Sequence, residues 1–236
     1  NWEVTGRWTS LDSEMYKIKD GDREYAVAPT HEEVIVPLFK KYISSYKDLP
    51  LAAYQIQNKF RKEKRAKSGL LRGREFIMKD LYSFHASEED LDIYYTKVEK
   101  AYENIFTRVG IGEKTFKTFA SGGTFSKYSY EYQTITGSGE DTIYICHGCR
   151  LAVNKEILSD VENKCPECRK KLTKTEKSIE VGNIFKNKDK YTKAFNLKVK
   201  NDKGQERTVF TGCYGIGLQR LMGTIVEVSN DEKGII

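Results

Sequence analysis

The stretch FRKEKRAKSGLLRGREFIMKDLYSF, residues 60–84, decides the fold that the sequence predicts. The residues before it, from Ala53 to Arg61, have the composition of a strand. A basic loop follows, with Ser68-Gly69 at its tip, and a second strand is expected over Glu75–His85. The second strand carries large apolar residues at even spacing: Phe76, Met78, Tyr82 and Phe84. The pattern predicts an antiparallel strand pair joined by a long loop.

The loop between these strands is strongly basic. Between Arg61 and Glu75 two residues are acidic, Glu63 and Glu75, and seven are basic: Arg61, Lys62, Lys64, Arg65, Lys67, Arg72 and Arg74. A run of charge is often only a solvated surface loop. Arginines set against strand-like apolar residues instead favour phosphate binding, because a guanidinium can donate two parallel hydrogen bonds to a phosphate.

The composition is that of a soluble globular protein, with 39% hydrophobic and 31% charged residues in a chain of 236. Its net charge of +6 permits an anionic partner without requiring one. No apolar run is long enough to span a bilayer, and the first residues lack a secretory pattern. We therefore expect a cytoplasmic protein with no membrane partner. The chain starts without Met and stops within an apolar stretch, which we interpret as a fragment of a longer protein.

Helices are predicted on either side of the strand pair. Short strands are expected over residues 1–30, with a turn at Asp20-Gly21-Asp22. Thr30-His31-Glu32-Glu33 has the form of a capping box. We expect it to open a helix that Pro37 kinks and whose apolar face consists of Val34, Leu38, Phe39 and Tyr42.

The longest predicted helix begins after Ser87 and ends at Gly110. Apolar residues recur along it at spacings of three or four: Leu91, Tyr94, Val98, Ala101, Tyr102, Ile105 and Val109. Strand-rich sequence follows, and a terminal helix is expected from Leu218 to about Val228. Together these elements predict an α+β fold, an antiparallel β-sheet flanked by helices.

Four of the five cysteines form a pattern, Cys146-x2-Cys149 and Cys165-x2-Cys168, with fifteen residues between the pairs. Two disulfides or free thiols are the alternatives, but disulfides are rare in cytosolic proteins. The spacing favours a small zinc-ribbon-like insertion in which four thiolates bind one Zn²⁺. A closed four-sulfur shell leaves no position for substrate, so the metal is expected to be structural. Cys213 stands apart, as expected of a packing residue.

The residues themselves suggest a nucleotide site. Arg61 and Glu63 are two residues apart and share one face, where the guanidinium can contact a phosphate and a carboxylate together and Glu63 can accept from an adenine amino group. Arg72 can reach outer phosphates, and Phe76 offers a flat surface to a base. Arg220 follows the turn Gly215-x-Gly217, which lacks the further glycines of a dinucleotide-binding loop.

Several motifs resemble the class II aminoacyl-tRNA synthetases. Phe60-Arg61-x-Glu63 with Arg72-Gly73-Arg74-Glu75-Phe76 is similar to motif 2, and Gly215-Ile216-Gly217-Leu218-Gln219-Arg220 is similar to motif 3. Three segments resemble the prolyl-specific branch: Pro29-Thr30-His31-Glu32-Glu33, Glu180-Val181-Gly182-Asn183-Ile184-Phe185 and Cys213-Tyr214-Gly215-Ile216-Gly217. They occur in the order of that family and cover nearly the whole chain.

The resemblance implies ATP-dependent activation of L-proline to prolyl-adenylate and transfer to tRNA(Pro), with Mg²⁺ assisting. It implies that Arg61 and Arg220 are catalytic. The implied proline-binding residues are Thr30, Glu32, Arg61 and Tyr130. The implied ATP-binding residues are Arg61, Glu63, Arg72, Phe76, Gln133 and Arg220. The implied zinc ligands are Cys146, Cys149, Cys165 and Cys168.

The sequence departs from the family in four respects. Tyr130 stands where the family usually has His, and motif 1, through which the full-length protein is expected to form a homodimer, precedes the first residue. The anticodon-binding domain is expected beyond the last residue. The segment that holds the cysteines is too short for the editing domain of many bacterial relatives, so the complete enzyme is expected not to clear Ala-tRNA(Pro) in cis. We expect a catalytic core at 1–140 and 178–236 that is interrupted by a zinc-binding insertion at 141–177.

Two other functions remain possible on the sequence. A catalytically inactive, synthetase-derived tRNA-binding module would keep the fold and use the basic loop and the zinc insertion to hold RNA. A threonyl- or seryl-type synthetase fits less well. Thr30-x-Glu32 and Cys213-Tyr214-Gly215 favour the prolyl form, and the cysteines cluster in one insertion instead of a catalytic pocket.

Overall fold

The protein is described by a computed structural model that covers residues 1–235. The helices in that range are α1 (Arg7–Ser10), α2 (Glu32–Phe39), α3 (Glu88–Arg108), α4 (Lys190–Ala194) and α5 (Leu218–Val228). The strands are β1 (Tyr16–Asp20), β2 (Arg23–Val27), β3 (Leu51–Phe60), β4 (Glu75–His85), β5 (Thr115–Ser121), β6 (Tyr128–Ile135), β7 (Asp141–Ile145), β8 (Ala152–Asn154), β9 (Lys174–Lys188), β10 (Lys198–Lys200), β11 (Glu206–Thr208), β12 (Phe210–Gly217), β13 (Asn230–Asp231) and β14 (Gly234–Ile235).

These elements form two compact units. The first contains Asn1–Tyr95 and Lys186–Cys213, and the second contains Thr96–Phe185 and the residues from Tyr214 onward. Among the described residues, no helix is both long and apolar enough to cross a membrane.

The first unit begins with the hairpin β1–β2, in which Tyr16 lies opposite Val27 and Asp20 opposite Arg23. Gly21 connects the strands with a φ of 59°, a left-handed conformation that glycine adopts at little cost. The turn predicted at Asp20-Gly21-Asp22 is therefore confirmed. The hairpin was predicted as part of a run of short strands, but α1 was not predicted.

Strands β3 and β4 form the antiparallel pair that residues 60–84 predict. Leu51 lies opposite Phe84 and Phe60 opposite Glu75, so the register is constant along the whole length of the two strands. At the tip of the loop, Ser68 and Gly69 both have a φ of 57°, which reverses the chain direction.

Helix α2 forms close to where it was predicted, but without the predicted capping box: its N-cap is His31, and no side chain caps it. Its buried face was also predicted wrongly. Its buried residues are Glu32, Glu33, Ile35 and Val36. Three members of the predicted apolar face are exposed instead: Val34, Leu38 and Tyr42. Tyr42 also lies beyond the end of the helix at Phe39. The acidic residues are buried because Glu32 and Glu33 both pair with the buried Arg7. Hydrophobic periodicity cannot reveal such a contact.

The second unit is built on five strands that close on one another. Strand β9 pairs with β7 over Lys174–Ser178 and with β6 over Ser178–Ile184. Strand β6 pairs with β5, β5 with β8, and β8 with β7, which completes the ring. Four pairings are antiparallel, and β5–β8 is parallel. In a closed ring of five strands, five antiparallel pairings would require the first strand to run opposite to itself. A parallel pair is therefore needed, and the antiparallel sheet predicted from the sequence did not include one.

Helix α3 packs against this ring through aromatic residues. The Tyr102 and Phe106 rings each lie 5.2 Å from the Tyr132 ring of β6. The helix begins where predicted, since the Ser87 hydroxyl accepts a hydrogen bond from the backbone N–H of Asp90. Helix α5 has the predicted bounds, and the predicted α+β class is confirmed.

The turn between β6 and β7 requires glycine at one position. A Cβ on Gly139 would lie 2.3 Å from the backbone nitrogen of Ser178, whereas a Cβ on Gly137 would meet nothing within 4 Å. Ser178 is the residue of β9 that pairs with both Ile135 and Asp141, so it cannot move without disturbing three strands.

We therefore predict that Gly139→Ala lowers the free energy of unfolding by about 2–3 kcal/mol, because backbone atoms must separate to admit the methyl group. The matched control, Gly137→Ala, is expected to stay within about 0.5 kcal/mol of the wild type. Urea unfolding measures both. Equal stabilities for the two variants would contradict the close approach of this turn to β9.

Candidate functional site

The segment Thr30–Glu33 leads into α2, and its polar side chains are buried. Thr30 Oγ1 donates a hydrogen bond to Glu32 Oε2. Arg7 Nη1, from α1, lies 3.3 Å from the same Glu32 oxygen and 3.2 Å from both carboxylate oxygens of Glu33. None of these four residues is more than 7% exposed. The structure thus brings together two of the predicted site residues, Thr30 and Glu32, and pairs Glu32 with Arg7, a cation that was not predicted.

The neighbours of Arg7 keep its side chain charged and restrict its position. Burial alone would lower its pKa, but Glu32, Tyr191 and Glu33 outweigh burial and raise it. Burial raises the pKa of Glu33, and the Arg7 charge acts in the opposite direction. The guanidinium carbon lies 5.5 Å from the Trp2 ring centre and 5.3 Å from that of Tyr191, within reach of cation–π attraction.

A second buried cation holds His31, which lies between Thr30 and Glu32. Lys59 Nζ of β3 lies 2.5 Å from His31 Nδ1 and 2.5 Å from Asp80 Oδ2 of β4. Tyr82 donates to the same Asp80 oxygen at 2.6 Å. Burial, followed by the Lys59 charge, lowers the pKa of His31 to about 4. His31 is therefore neutral near pH 7, and its Nδ1 accepts the hydrogen bond because an ammonium group can only donate.

Arg61 connects the start of the basic loop to the same segment. Its Nε donates to the carbonyl oxygen of Pro29 at 3.2 Å, and its guanidinium carbon lies 5.2 Å from the Phe76 ring centre. The backbone of Arg61 pairs with that of Arg74 at 2.9 Å. Arg61 and Phe76, both predicted site residues, therefore lie in contact beside the Thr30 segment.

Glu63 and Arg72 pair across the base of the basic loop. Arg72 Nε lies 2.9 Å from Glu63 Oε2, and both side chains are partly accessible to solvent. Arg74 Nε also donates to the backbone carbonyl of Glu63 at 2.9 Å. Glu63 and Arg72, both predicted ATP-binding residues, therefore hold each other in place at the base of the loop.

In the second unit, Gln133 lies in a buried polar cluster on β6. Its amide nitrogen donates to Glu131 at 2.9 Å and to Asp141 at 2.8 Å, and the residue is fully buried. Glu131 also accepts from Asn154 at 3.2 Å and from Asn183 at 3.5 Å. Burial is the main reason that the pKa of Glu131 is raised well above its usual value.

Arg220 lies in the first turn of α5 and points at β9. Its Nη1 lies 3.1 Å from Glu180 Oε2 and 3.4 Å from the backbone carbonyl of Glu180. The Arg220 side chain is 36% exposed, so it is accessible to a ligand.

Tyr130 lies among aromatic and charged neighbours of the second unit. Its ring centre is 5.7 Å from that of Phe119 on β5 and 4.6 Å from Lys117 Nζ. Lys117 in turn lies 3.6 Å from Glu167, inside the second cysteine pair. Burial, followed by the charges of Glu167 and Glu99, raises the pKa of Tyr130 to about 12, so its hydroxyl stays protonated near pH 7.

The four patterned cysteines converge. All four Sγ atoms lie within 4.8 Å of one another, with 3.3 Å from Cys146 to Cys168 and 3.5 Å from Cys149 to Cys165. Zn–S bonds of about 2.3 Å in a tetrahedron place the sulfurs about 3.8 Å apart. The donor set and its spacing therefore fit a Zn²⁺ ion held by four thiolates.

The two cysteine pairs have the same backbone shape. In the first, the Cys146 N–H donates to Leu151 and Arg150 has a φ of 60°. In the second, the Cys165 N–H donates to Lys170 and Arg169 has a φ of 62°. Two matching turns that each present a buried and an exposed thiol are the arrangement of a zinc ribbon.

The buried cations Arg7 and Lys59 were not predicted from the sequence. Arg7 lies 25 residues from Glu32, and Lys59 lies 28 residues from His31, so no local spacing links them. The available signal was weak: Thr30–Glu33 places two acidic residues in the first turn of a short helix, and Lys59 interrupts an otherwise neutral strand.

Comparison with known proteins places this chain among tRNA synthetases. The family model described as tRNA synthetase class II core domain (G, H, P, S and T) matches residues 16–229. The proline–tRNA ligase of Sulfurimonas denitrificans is 37% identical over 100% of this chain and 58% of its own length. The probable mitochondrial proline–tRNA ligase of Schizosaccharomyces pombe is 40% identical over 100% of this chain and 56% of its own length. The chain thus spans a little over half of these relatives.

The fold is also found in solved structures. The Giardia lamblia prolyl-tRNA synthetase in complex with prolyl-adenylate matches 98% of this chain and 40% of its own, with a TM-score of 0.75 at 19% identity. At that identity the likeness concerns the fold.

The buried pair of Lys59 and Asp80 gives a prediction about stability. Lys59→Met should lower the free energy of unfolding by about 3–5 kcal/mol, because it leaves the Asp80 charge buried without its partner. The matched control, Lys59→Met with Asp80→Asn, removes both charges and should recover most of that loss. Urea unfolding at pH 7 measures both variants. A single variant as stable as the double variant would show that Lys59 does not compensate Asp80.

Proposed function

Because the chain belongs to the class II tRNA synthetase core-domain family, we propose that it forms the catalytic core of a proline–tRNA ligase. The proposed reaction joins L-proline to ATP, giving prolyl-adenylate and pyrophosphate, and then transfers the prolyl group to the terminal ribose of tRNA(Pro). The observation that carries the proposal is the buried Thr30–Glu32 pair next to Arg61, in a chain about 40% identical to named proline–tRNA ligases.

Thr30 and Glu32 are suited to a secondary amine. The imino nitrogen of proline carries a positive charge and two N–H bonds. A carboxylate oxygen and a hydroxyl oxygen can accept both bonds and offset the charge. We assign this role to Thr30 and Glu32, and we assign to Arg61 the carboxylate of proline and the α-phosphate of ATP. Tyr130 is proposed as a further proline-binding residue.

Adenylate formation needs no protein nucleophile. A carboxylate oxygen of proline attacks the α-phosphorus, and pyrophosphate leaves with the electrons of the broken P–O bond. Alignment of the two substrates and neutralisation of charge on phosphorus supply the catalysis. We assign that neutralisation to Arg61 and Arg220, with Mg²⁺ assisting. The other proposed ATP-binding residues are Glu63, Arg72, Phe76 and Gln133.

The cysteine site is proposed to bind structural Zn²⁺. The cysteines lie in the proposed insertion at 141–177, which begins with β7 and ends in β9, two strands that pair with each other. The bound zinc would stabilise this segment, which is too short to fold alone. The same segment is too short for an editing domain, so the proposal includes no editing in cis. We further propose a cytoplasmic homodimer for the full-length protein.

The direct test is proline-dependent exchange of pyrophosphate into ATP, measured on the complete protein that contains this chain. We expect exchange with proline but not with threonine or serine. Arg61→Lys should lower the exchange rate by about 100-fold or more, because lysine cannot form the paired hydrogen bonds. Lys64→Ala, an exposed basic residue of the same loop outside the assigned site, is the control and should exchange normally. A folded wild type that binds tRNA but shows no exchange would support the inactive binding module instead.

Metal analysis tests the cysteine site. The purified protein should contain about one Zn²⁺ per chain. Cys149→Ser with Cys168→Ser should lose the metal and unfold at a lower temperature, because two of four ligands are gone. Cys213→Ala changes a cysteine outside the cluster and should keep the metal. A folded, fully reduced wild type without metal would overturn the assignment, and loss of tRNA affinity in a still-folded variant would give the insertion a role in RNA binding.

A further inference from the structure

Arg7 is a buried cation that none of the family-like motifs includes. It is the first residue of α1, a helix of four residues, and it is 3% exposed. A guanidinium loses much of its hydration when it is buried, so its place must be stabilised by specific partners. Those partners are the carboxylates of Glu32 and Glu33.

The contacts of Arg7 restrict the carboxylate of Glu32. Arg7 Nη1 and Thr30 Oγ1 both donate to Glu32 Oε2, so donors from α1 and from the segment before α2 restrict the rotation of the carboxylate. The Arg7 guanidinium is itself fixed, by the Trp2 and Tyr191 rings and by both oxygens of Glu33. The orientation of Glu32 therefore depends on an arginine 25 residues away in the sequence.

We propose that Arg7 is a positioning residue for amino-acid binding, which holds the Glu32 carboxylate in the orientation that receives the imino nitrogen of proline. This inference rests on the proposed function. Arg7 acts through Glu32, so its contribution concerns proline and leaves ATP binding alone. A lysine at this position would keep the charge but lose the planar group that stacks against Trp2 and Tyr191 while reaching two carboxylates.

The test compares Michaelis constants for the two substrates in the exchange assay on the complete protein. Arg7→Lys should raise the KM for proline by about tenfold or more, since small displacements of a binding group weaken productive binding strongly. The KM for ATP should change less than about twofold, a margin that separates the two effects. Thr5→Val is the matched control: it removes the hydrogen bond that the Thr5 hydroxyl donates to Glu33 Oε1 at 2.8 Å but leaves the Arg7 and Thr30 donors of Glu32, so its KM for proline should be normal.

A purely structural role for Arg7 predicts a different result. In that case Arg7→Lys lowers the unfolding temperature and the amount of active protein, but the KM for proline in the folded fraction equals that of the wild type, and the proposal is overturned. If Arg7→Lys does not fold, Arg7→Lys with Glu33→Gln is tested in its place, because it removes one buried carboxylate and leaves one cation facing Glu32. The expected rise and the contradicting result are the same.

The failure of this inference is distinguishable from that of the proposed function. A wild type without proline-dependent exchange rejects the function. A wild type that exchanges normally, together with variants whose KM for proline is unchanged, rejects only the role of Arg7.

Discussion

The segment from Pro29 to Glu33 is held by three cations, and the first unit depends on this constraint. Arg7 fixes the acidic residues, Lys59 fixes His31, and Arg61 bonds to the Pro29 carbonyl. The three come from α1, from β3 and from the start of the basic loop, so the segment is determined by elements distant in sequence. A binding segment fixed in this way needs little reorganisation when a ligand arrives, which favours affinity and catalysis.

This arrangement is costly for stability. Lys59 and Asp80 form a pair with almost no solvent exposure, and Arg7 shares its charge between two buried carboxylates. Such pairs often stabilise a protein no more than well-packed apolar residues do, but the loss of one partner is strongly destabilising. Their placement next to the proposed proline-binding residues gives the cost a functional explanation, since apolar residues could not orient a carboxylate.

Where local sequence determines structure, the sequence predicted it well. Strand β4, the loop tip at Ser68-Gly69 and the bounds of α5 were all predicted, because each depends on neighbouring residues. The buried face of α2 was predicted wrongly because a distant arginine overrides hydrophobic periodicity there. The parallel pair β5–β8 was missed because ring closure is a property of the whole second unit. In the candidate site, the polar residues of the motifs and Arg61 were identified, whereas the buried cations Arg7 and Lys59 were not.

The most direct measurement is a crystal structure of the protein with a non-hydrolysable prolyl-adenylate analogue. We expect the imino nitrogen to lie within hydrogen-bonding distance, about 3 Å, of the Thr30 hydroxyl and the Glu32 carboxylate. We also expect Arg7 to keep its contact with Glu32 and Arg61 to contact the group that replaces the α-phosphate. An analogue bound with its imino nitrogen away from Glu32, or a Glu32 that turns away from Arg7 when the ligand binds, would contradict the proposed roles of these residues.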